Sequence, residues 1–432
     1  MSDLTDALRD GSMPAGELTA RLGISPATLM RRVRAAGAAV VRIGASHATR
    51  YGLRRELPGL GASEVPLFRI DASGRAISVG RLVFMAGEES AWLPAGTVFD
   101  GLPPEIADMR PSGFIGHSFS RRFPELPVPE RVDDWSDHHT VIALARRGED
   151  LPGNLVLGDE SIARWFEHAP PAVTRADYPS LAESATAGDI PGSSAGGDRP
   201  KFGVFADGRH VLVKYAGGEG PVAERWRDLL ALEDIALAVL RGLGPAMAVD
   251  AQLVDTATHR FLEVERFDRI GERGRRAVIT LAAVHARATD TWAQAARSMT
   301  DAGMLPPDDA RTLQLLDAFA QLIANTDRHH YNVALFPQFT GEGESTAATA
   351  RRYALAPAFD QVPMLYAPTG GGQLPERTFS RAAPAGDTWN VWEDAVALGT
   401  EFWKRAASDA RVGERMRAVA RANAGIVGRG AG

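Results

Sequence analysis

A chain of 432 residues with 45% hydrophobic side chains can bury a proper core and exceeds one folding unit, with about three expected from its length. A net charge of −6 gives no global basic field, so any nucleic-acid surface must be local, and the absence of cysteine excludes a disulfide scaffold, cysteine-based zinc sites and thiol catalysis. The opening MSDLTDALRDG lacks a basic-then-apolar leader and no apolar run approaches the roughly 20 residues that cross a bilayer, so a cytoplasmic protein with no membrane partner is expected.

Residues 1–57 read as a winged helix-turn-helix domain. One helix fits 15–22, with Leu18 and Leu22 on one face, and Gly23 marks a turn. Ser25 can cap a second helix whose first position is Pro26. Ile24, Leu29 and Val33 then face inward, while Arg31, Arg32 and Arg34 fall on or near the outer face, with Ser25 and Thr28 at its start, where phosphates or base edges could be met. The stretch AVVRIGASHATRYGL (39–53) alternates and turns at Gly44-Ala45-Ser46, as a wing does, bringing Arg42, His47 and Arg50 within reach of a DNA backbone or minor groove. DNA is the partner expected here; the plainer alternative is a small helical cap with a solvated basic face.

From 58 to about 175 come short apolar runs broken by Gly and Pro, such as VPLFRI (65–70), ISVGRLVFMAG (77–87) and HHTVIALARRG (138–148), read as a mixed region with several strands. A loop of small residues, ESATAGDIPGSSAGGDRP (183–200), precedes two strand-like runs, KFGVFA (201–206) and HVLVKYA (210–216), joined by Asp207-Gly208 as a hairpin. A long helix is expected over 223–240, and FLEVERFDR (261–269) reads as a buried strand entering a polar turn. The remainder is mostly helical, apart from a Gly/Ser/Thr/Ala loop between Pro337 and Arg352. The expected division after the first domain is a mixed lobe over 58–268 and a helical lobe over 269–432.

The polar crowd in IANTDRHHYNVAL (323–335) asks for a chemical explanation, and phosphoryl transfer supplies one. Asp327 and Asn332 have D-x-x-x-x-N spacing, which lets the Asp meet an incoming hydroxyl while the Asn turns toward a metal. The spacing alone is weak, since Asp327 could equally cap a helix or pair with Arg328; adjacent His329 and His330 point apart, so His329 is read as a brace rather than a metal ligand. In YALAPAFDQVP (353–363), Asp360 follows an apolar run and precedes a turn, as a second magnesium carboxylate would, or as any strand-end Asp would. Lys214 lies within a hydrophobic strand, where an unpaired ammonium is costly. A nucleotide phosphate or a carboxylate on the next helix, Glu233 first and Glu224 second, would resolve that cost, unless the lysine reaches water. Ser193, Ser194, Gly196 and Gly197 sit in a loop rich in backbone N–H groups that could cover phosphates, with Lys201 as a second cation, although no G-K-[ST] follows.

SSAGGDRPK (193–201), VERFDR (264–269), NTDRHHYN (325–332) and APAFD (356–360), in this order and spacing, resemble the HipA-type serine/threonine protein kinases, toxins of bacterial toxin–antitoxin systems. DRHHYN is also similar to the D-R-H-x-x-N loop of phosphoinositide-type kinases. The resemblance implies an α+β, two-lobed fold with a mixed N-lobe and a mostly helical C-lobe, and ATP and Mg2+ as cofactors. It implies a catalytic Asp327, magnesium on Asn332 and Asp360, and ATP phosphates at Lys214. Adenine would meet backbone groups of Glu265 and Phe267, and Ser193 would be self-phosphorylated. It further implies a protein substrate, an aminoacyl-tRNA synthetase or other translation factor, and leaves room for a homodimer. A helix-turn-helix fused in front of the kinase resembles the YjjJ-like (HipH) branch, whereas LAAVHARATDTWAQAA (281–296) departs from the family's substrate-side segment. Two rival readings remain: a DNA-binding regulator whose kinase-like body only senses nucleotide, and a small-molecule or sugar kinase.

Overall fold

The computed structural model describes residues 2–186, 199–338 and 352–429, so the expected Ser193, Ser194, Gly196 and Gly197 sites lie outside the described residues. The chain divides into two compact units, Met1–Pro111 with Phe119–Ala169, and Ser112–Ser118 with Pro170–Gly432. The expected 58–268 lobe therefore holds two separate five-stranded sheets, one in each unit.

In the first unit, helices Ala15–Leu22 and Pro26–Ala36 follow an N-terminal helix, Ser2–Ala7. Gly23 ends the first of the pair in the left-handed conformation, with φ of 61°, and the Ser25 hydroxyl accepts the Thr28 N–H at 3.3 Å to start the next. Leu4, Leu8, Leu18, Leu29 and Tyr51 form the core beneath them. Strands Val40–Ile43 and Arg50–Leu53 make a hairpin at the position expected of the wing, and it gains a short third strand, Met13–Pro14. The hairpin faces inward as well as outward: Val41 and Ile43 pack with Val83, Met85 and Ala91 of the antiparallel sheet that follows. That sheet runs, in spatial order, Thr97–Asp100, Glu89–Leu93, Ala76–Phe84, Glu64–Ile70 and Leu155–Leu157. At Gly80, with φ of 115°, a Cβ would stand 1.8 Å from the Leu93 carbonyl oxygen, so only glycine fits.

HHTVIALARRG, one of the short apolar runs of the mixed region, is the helix Asp137–Arg147. Thr140 to Ala145 are all buried, and a continuous buried run carries no periodicity that separates helix from strand. The local sign of a helix is at its start, where the Ser136 N–H donates to His139 Nδ1 at 3.1 Å.

The second unit opens with a sheet in the order Ala251–Asp255, His259–Glu265, Arg209–Gly217, Lys201–Ala206 and Ala172–Val173. The Asp207-Gly208 turn has φ of 50° and 75°, the paired positive angles that suit a tight hairpin. One face of this sheet buries Val211, Val213, Tyr215 and Phe261 with Tyr178; the other turns Ala216, Leu262 and Val264 toward the helix Pro221–Arg241. The same core continues into helices Trp292–Asp301, Pro307–Leu322, Trp392–Ser408 and Glu414–Gly428. Between them lies a small sheet of Ile279–Thr280, Ala334–Gln338 and Arg352–Leu355. Among the described residues, no helix is long and apolar enough to cross a membrane.

Trp403 is fully buried and its indole N–H donates to the Leu322 carbonyl at 2.9 Å, satisfying the helix end that leads into the DRHHYN loop. Trp403→Ala is expected to cost about 3–5 kcal/mol, read as a lower urea midpoint for unfolding.

Candidate active site

Alternation along Arg209–Gly217 sends Val211, Val213 and Tyr215 into one cluster and Lys214 to the opposite face, where it is 4% exposed. Its ammonium donates to Glu233 Oε1 at 2.6 Å and to Asp360 Oδ1 at 2.6 Å. Glu233 is fully buried on the helix Pro221–Arg241, and it is the partner of Lys214; Glu224 lies in the first turn of that helix, about 13 Å away along the axis. The lysine is almost wholly buried between two carboxylates from elements distant in sequence.

Arg199 completes the cluster, and nothing in the GDRPK run where it stands singles it out from the sequence. It is 8% exposed, donates to Glu233 Oε2 at 3.2 Å, lies 3.7 Å from Asp360 Oδ1, and stacks over the Trp226 ring at 5.7 Å. Lys201 is the cross-strand partner of Lys214 in the hairpin. Burial alone would push the Asp360 carboxyl up, but the charges of Lys214, Arg199 and Lys201 hold it well below the usual carboxylate range. Asp360 also has φ of 54°, an uncommon conformation for a residue with a side chain. Both cations meet Oδ1, which leaves Oδ2 as the oxygen a metal would take.

Backbone hydrogen bonds place this aspartate. Ala358 N–H donates to the Met247 carbonyl at 3.0 Å and Val249 N–H to the Ala358 carbonyl at 3.0 Å, which ties the segment to the stretch that leads into the Ala251–Asp255 strand. On the other side, Leu365 N–H donates to the Ala324 carbonyl at 3.1 Å, at the entrance to the DRHHYN loop. Asn332 and the residues flanking Asp360, among them Ala358, Phe359 and Gln361, line one cavity of about 10 Å3. Phe359 and Phe267 pack at 5.7 Å between ring centres, so the exit of the His259–Glu265 strand belongs to the same neighbourhood. There the Glu265 N–H is already donated to the Asp250 carbonyl at 2.9 Å, which restricts any purine contact at Glu265 to its carbonyl.

Within the loop, Asp327 is held through its backbone. Its N–H donates to Asn325 Oδ1 at 2.9 Å and its carbonyl accepts Asn332 Nδ2 at 2.9 Å. The Asn332 amide is thereby oriented, with Oδ1 as its remaining acceptor. The Asp327 carboxylate is 47% exposed, with His329 Nε2 3.5 Å away. Arg328, weighed as a partner of Asp327, reaches Asp317 instead, at 3.3 Å. The loop is also braced by a neighbouring segment: Trp292 Nε1 donates to the His329 carbonyl at 3.2 Å, and His330 Nε2 lies 2.8 Å from the Asp290 carbonyl. The acidic and amide groups are oxygen donors and the surrounding cations suit a polyanion, the donor set that a magnesium–nucleotide complex needs.

In the N-terminal domain, Arg31, Arg34 and Arg42 are exposed and Ser25 and Thr28 engage each other at the helix start. Arg32 stands 3.7 Å from Asp3, and Arg50 departs from its expected outward role: its guanidinium donates to the Ser12 carbonyl at 2.7 Å and to Ser12 Oγ at 3.2 Å, bracing the small sheet.

Because the folded state holds the Asp360 pKa below its unfolded value, the carboxylate contributes stability above about pH 4 and loses it as pH falls toward the folded value. Asp360→Asn cannot titrate, so its urea midpoint is expected to fall less steeply than that of the wild type as pH drops below about 4.

The family model described as YjjJ-like toxin, middle domain, matches residues 61–166, and that described as HipA-like C-terminal domain matches residues 193–425. Toxin YjjJ of Escherichia coli (strain K12) is 33% identical over 444 aligned residues, which cover 97% of this chain and 96% of that protein. Among solved structures, a chain of the Shewanella oneidensis MR-1 toxin–antitoxin complex of HipA, HipB and operator DNA has a TM-score of 0.50 at 14% identity, covering 84% of this chain and 96% of that one. That likeness is one of fold. The first family match contains the sheet of the first unit, and the second contains the sheet of the second unit apart from its edge strand Ala172–Val173, so the two sheets placed together in one expected lobe fall in separate family matches. The chain belongs to the YjjJ-like toxin family, with a HipA-like C-terminal domain.

Proposed function

We propose that this protein is an ATP- and magnesium-dependent serine/threonine protein kinase with an N-terminal DNA-binding domain, a toxin that slows growth by phosphorylating a translation-related protein. The observation that carries the reading is the Lys214 ammonium 2.6 Å from both Glu233 and Asp360, in the same unit as a loop that presents Asp327 beside an oriented Asn332. On this reading Lys214, held by Glu233, would meet nucleotide phosphates. On this reading Asp327, which is half-exposed, would orient a Ser or Thr hydroxyl and take its proton. Bound magnesium, for which Asn332 Oδ1 and Asp360 Oδ2 are the candidate ligands, would supply neutralisation of phosphate charge. Catalysis on this reading is positioning plus electrostatic stabilisation, as phosphoryl transfer generally requires.

Asp327→Ala and Asp360→Ala are each expected to abolish transfer from labelled ATP to the protein or its substrate while the circular dichroism spectrum stays native. Undiminished labelling in both variants would remove the assignment. Phosphoproteomics of cells expressing wild type beside Asp327→Ala would identify the acceptor.

DNA binding on this reading rests on Arg31, Arg34 and Arg42, since Arg50 is engaged internally. Each arginine that neutralises a DNA phosphate adds about 0.9 to the steepness with which log affinity falls against log salt. The Arg31→Ala/Arg34→Ala variant is therefore expected to bind duplex DNA more weakly and with a slope smaller by about 2. An unchanged slope would return the helix to a plain solvated face.

A further inference from the structure

Asp317 lies on the helix Pro307–Leu322, is 1% exposed, and takes no part in the cluster around Lys214. A buried carboxylate persists only where charge and hydrogen bonds compensate its lost hydration. Here Oδ2 accepts the Ala293 N–H at 3.1 Å, an orphan donor in the first turn of the helix Trp292–Asp301, where the helix dipole also favours an anion. Oδ1 lies 3.3 Å from Arg328 Nε and 3.4 Å from Gln321 Nε2.

The two groups that Asp317 holds both act on the DRHHYN loop. Arg328 Nη1 donates to the Asn325 carbonyl at 2.7 Å, and the side chain of that same Asn325 accepts the Asp327 N–H. The Trp292–Asp301 helix, whose start is fixed by Asp317, carries the indole that donates to the His329 carbonyl. One buried charge thus braces the loop on either side of Asp327, through Asn325 before it and His329 after it.

We propose that Asp317 is a positioning residue for phosphoryl transfer: it sets Arg328 and the neighbouring helix so that the exposed Asp327 carboxylate is presented in one geometry. The inference rests on the kinase reading of Asp327. Asp317→Asn keeps the shape and can still accept from Ala293, but it loses the charge and can turn an N–H donor toward Arg328.

The test is steady-state transfer from MgATP by the full-length protein, with autophosphorylation or an acceptor found by phosphoproteomics as readout. Asp317→Asn and Arg328→Ala are each expected to lower kcat on the order of 100-fold, with KM for MgATP unchanged and MgATP still raising the thermal midpoint. The double variant is expected to be no worse than Arg328→Ala alone, because both changes cut one connection. A general loss of structure would instead raise KM, remove the MgATP-dependent thermal shift, and give multiplying losses, and any of these overturns the proposal. Wild-type kcat in Asp317→Asn overturns the positioning role alone. A wild type that transfers no phosphate to any acceptor fells the kinase reading, and this role with it.

Discussion

The Lys214 ammonium is almost wholly removed from water, between Glu233 of a helix and Asp360 of a loop, at 2.6 Å from each. Three elements separated by up to 146 residues must therefore arrive together, or a charge is left buried and unpaired. Arg199 adds a second cation to the same two carboxylates, and Lys201 adds its field from the adjacent strand. The charges of the cluster hold the Asp360 carboxyl well below the usual carboxylate range against its own burial.

The DRHHYN loop follows a different logic, with a fixed backbone and a half-exposed Asp327 carboxylate. Asn325 and Asn332 hold the N–H and carbonyl of Asp327, while its side chain stays open to an incoming group. Local polarity in this stretch is thus divided between holding and presenting: Arg328 and His330 turn to partners in the body, whereas His329 and Tyr331 are exposed. The crowding of polar residues beside apolar flanks has its physical cause in that division.

The hairpin over 40–53 shows how one element serves two surroundings. Val41 and Ile43 are core of the following sheet, and the residue between them, Arg42, is exposed because side chains alternate along a strand. The fusion of this domain to the chain is thus a packed interface within the first unit. Arg50 is turned to Ser12 by the short Met13–Pro14 strand, an element too short to leave a pattern in sequence.

Features governed by local chemistry were legible in the amino acids: the Gly23 turn, the Ser25 cap with Pro26 behind it, the Asp207-Gly208 hairpin and the facing of Lys214. Each depends on a few neighbouring residues and on backbone preferences that do not change with context. The helix Asp137–Arg147 escaped because full burial erases periodicity, and the separation of the two sheets escaped because strand runs do not state which sheet they join. The need for a partner to Lys214 could be read from the cost of burying a charge, while the choice of Glu233 over Glu224 required the helix to be placed against the sheet. Arg199 and Asp317 became visible only through tertiary structure, since a charged residue in a sequence carries no mark of whether its charge will meet water or another charge.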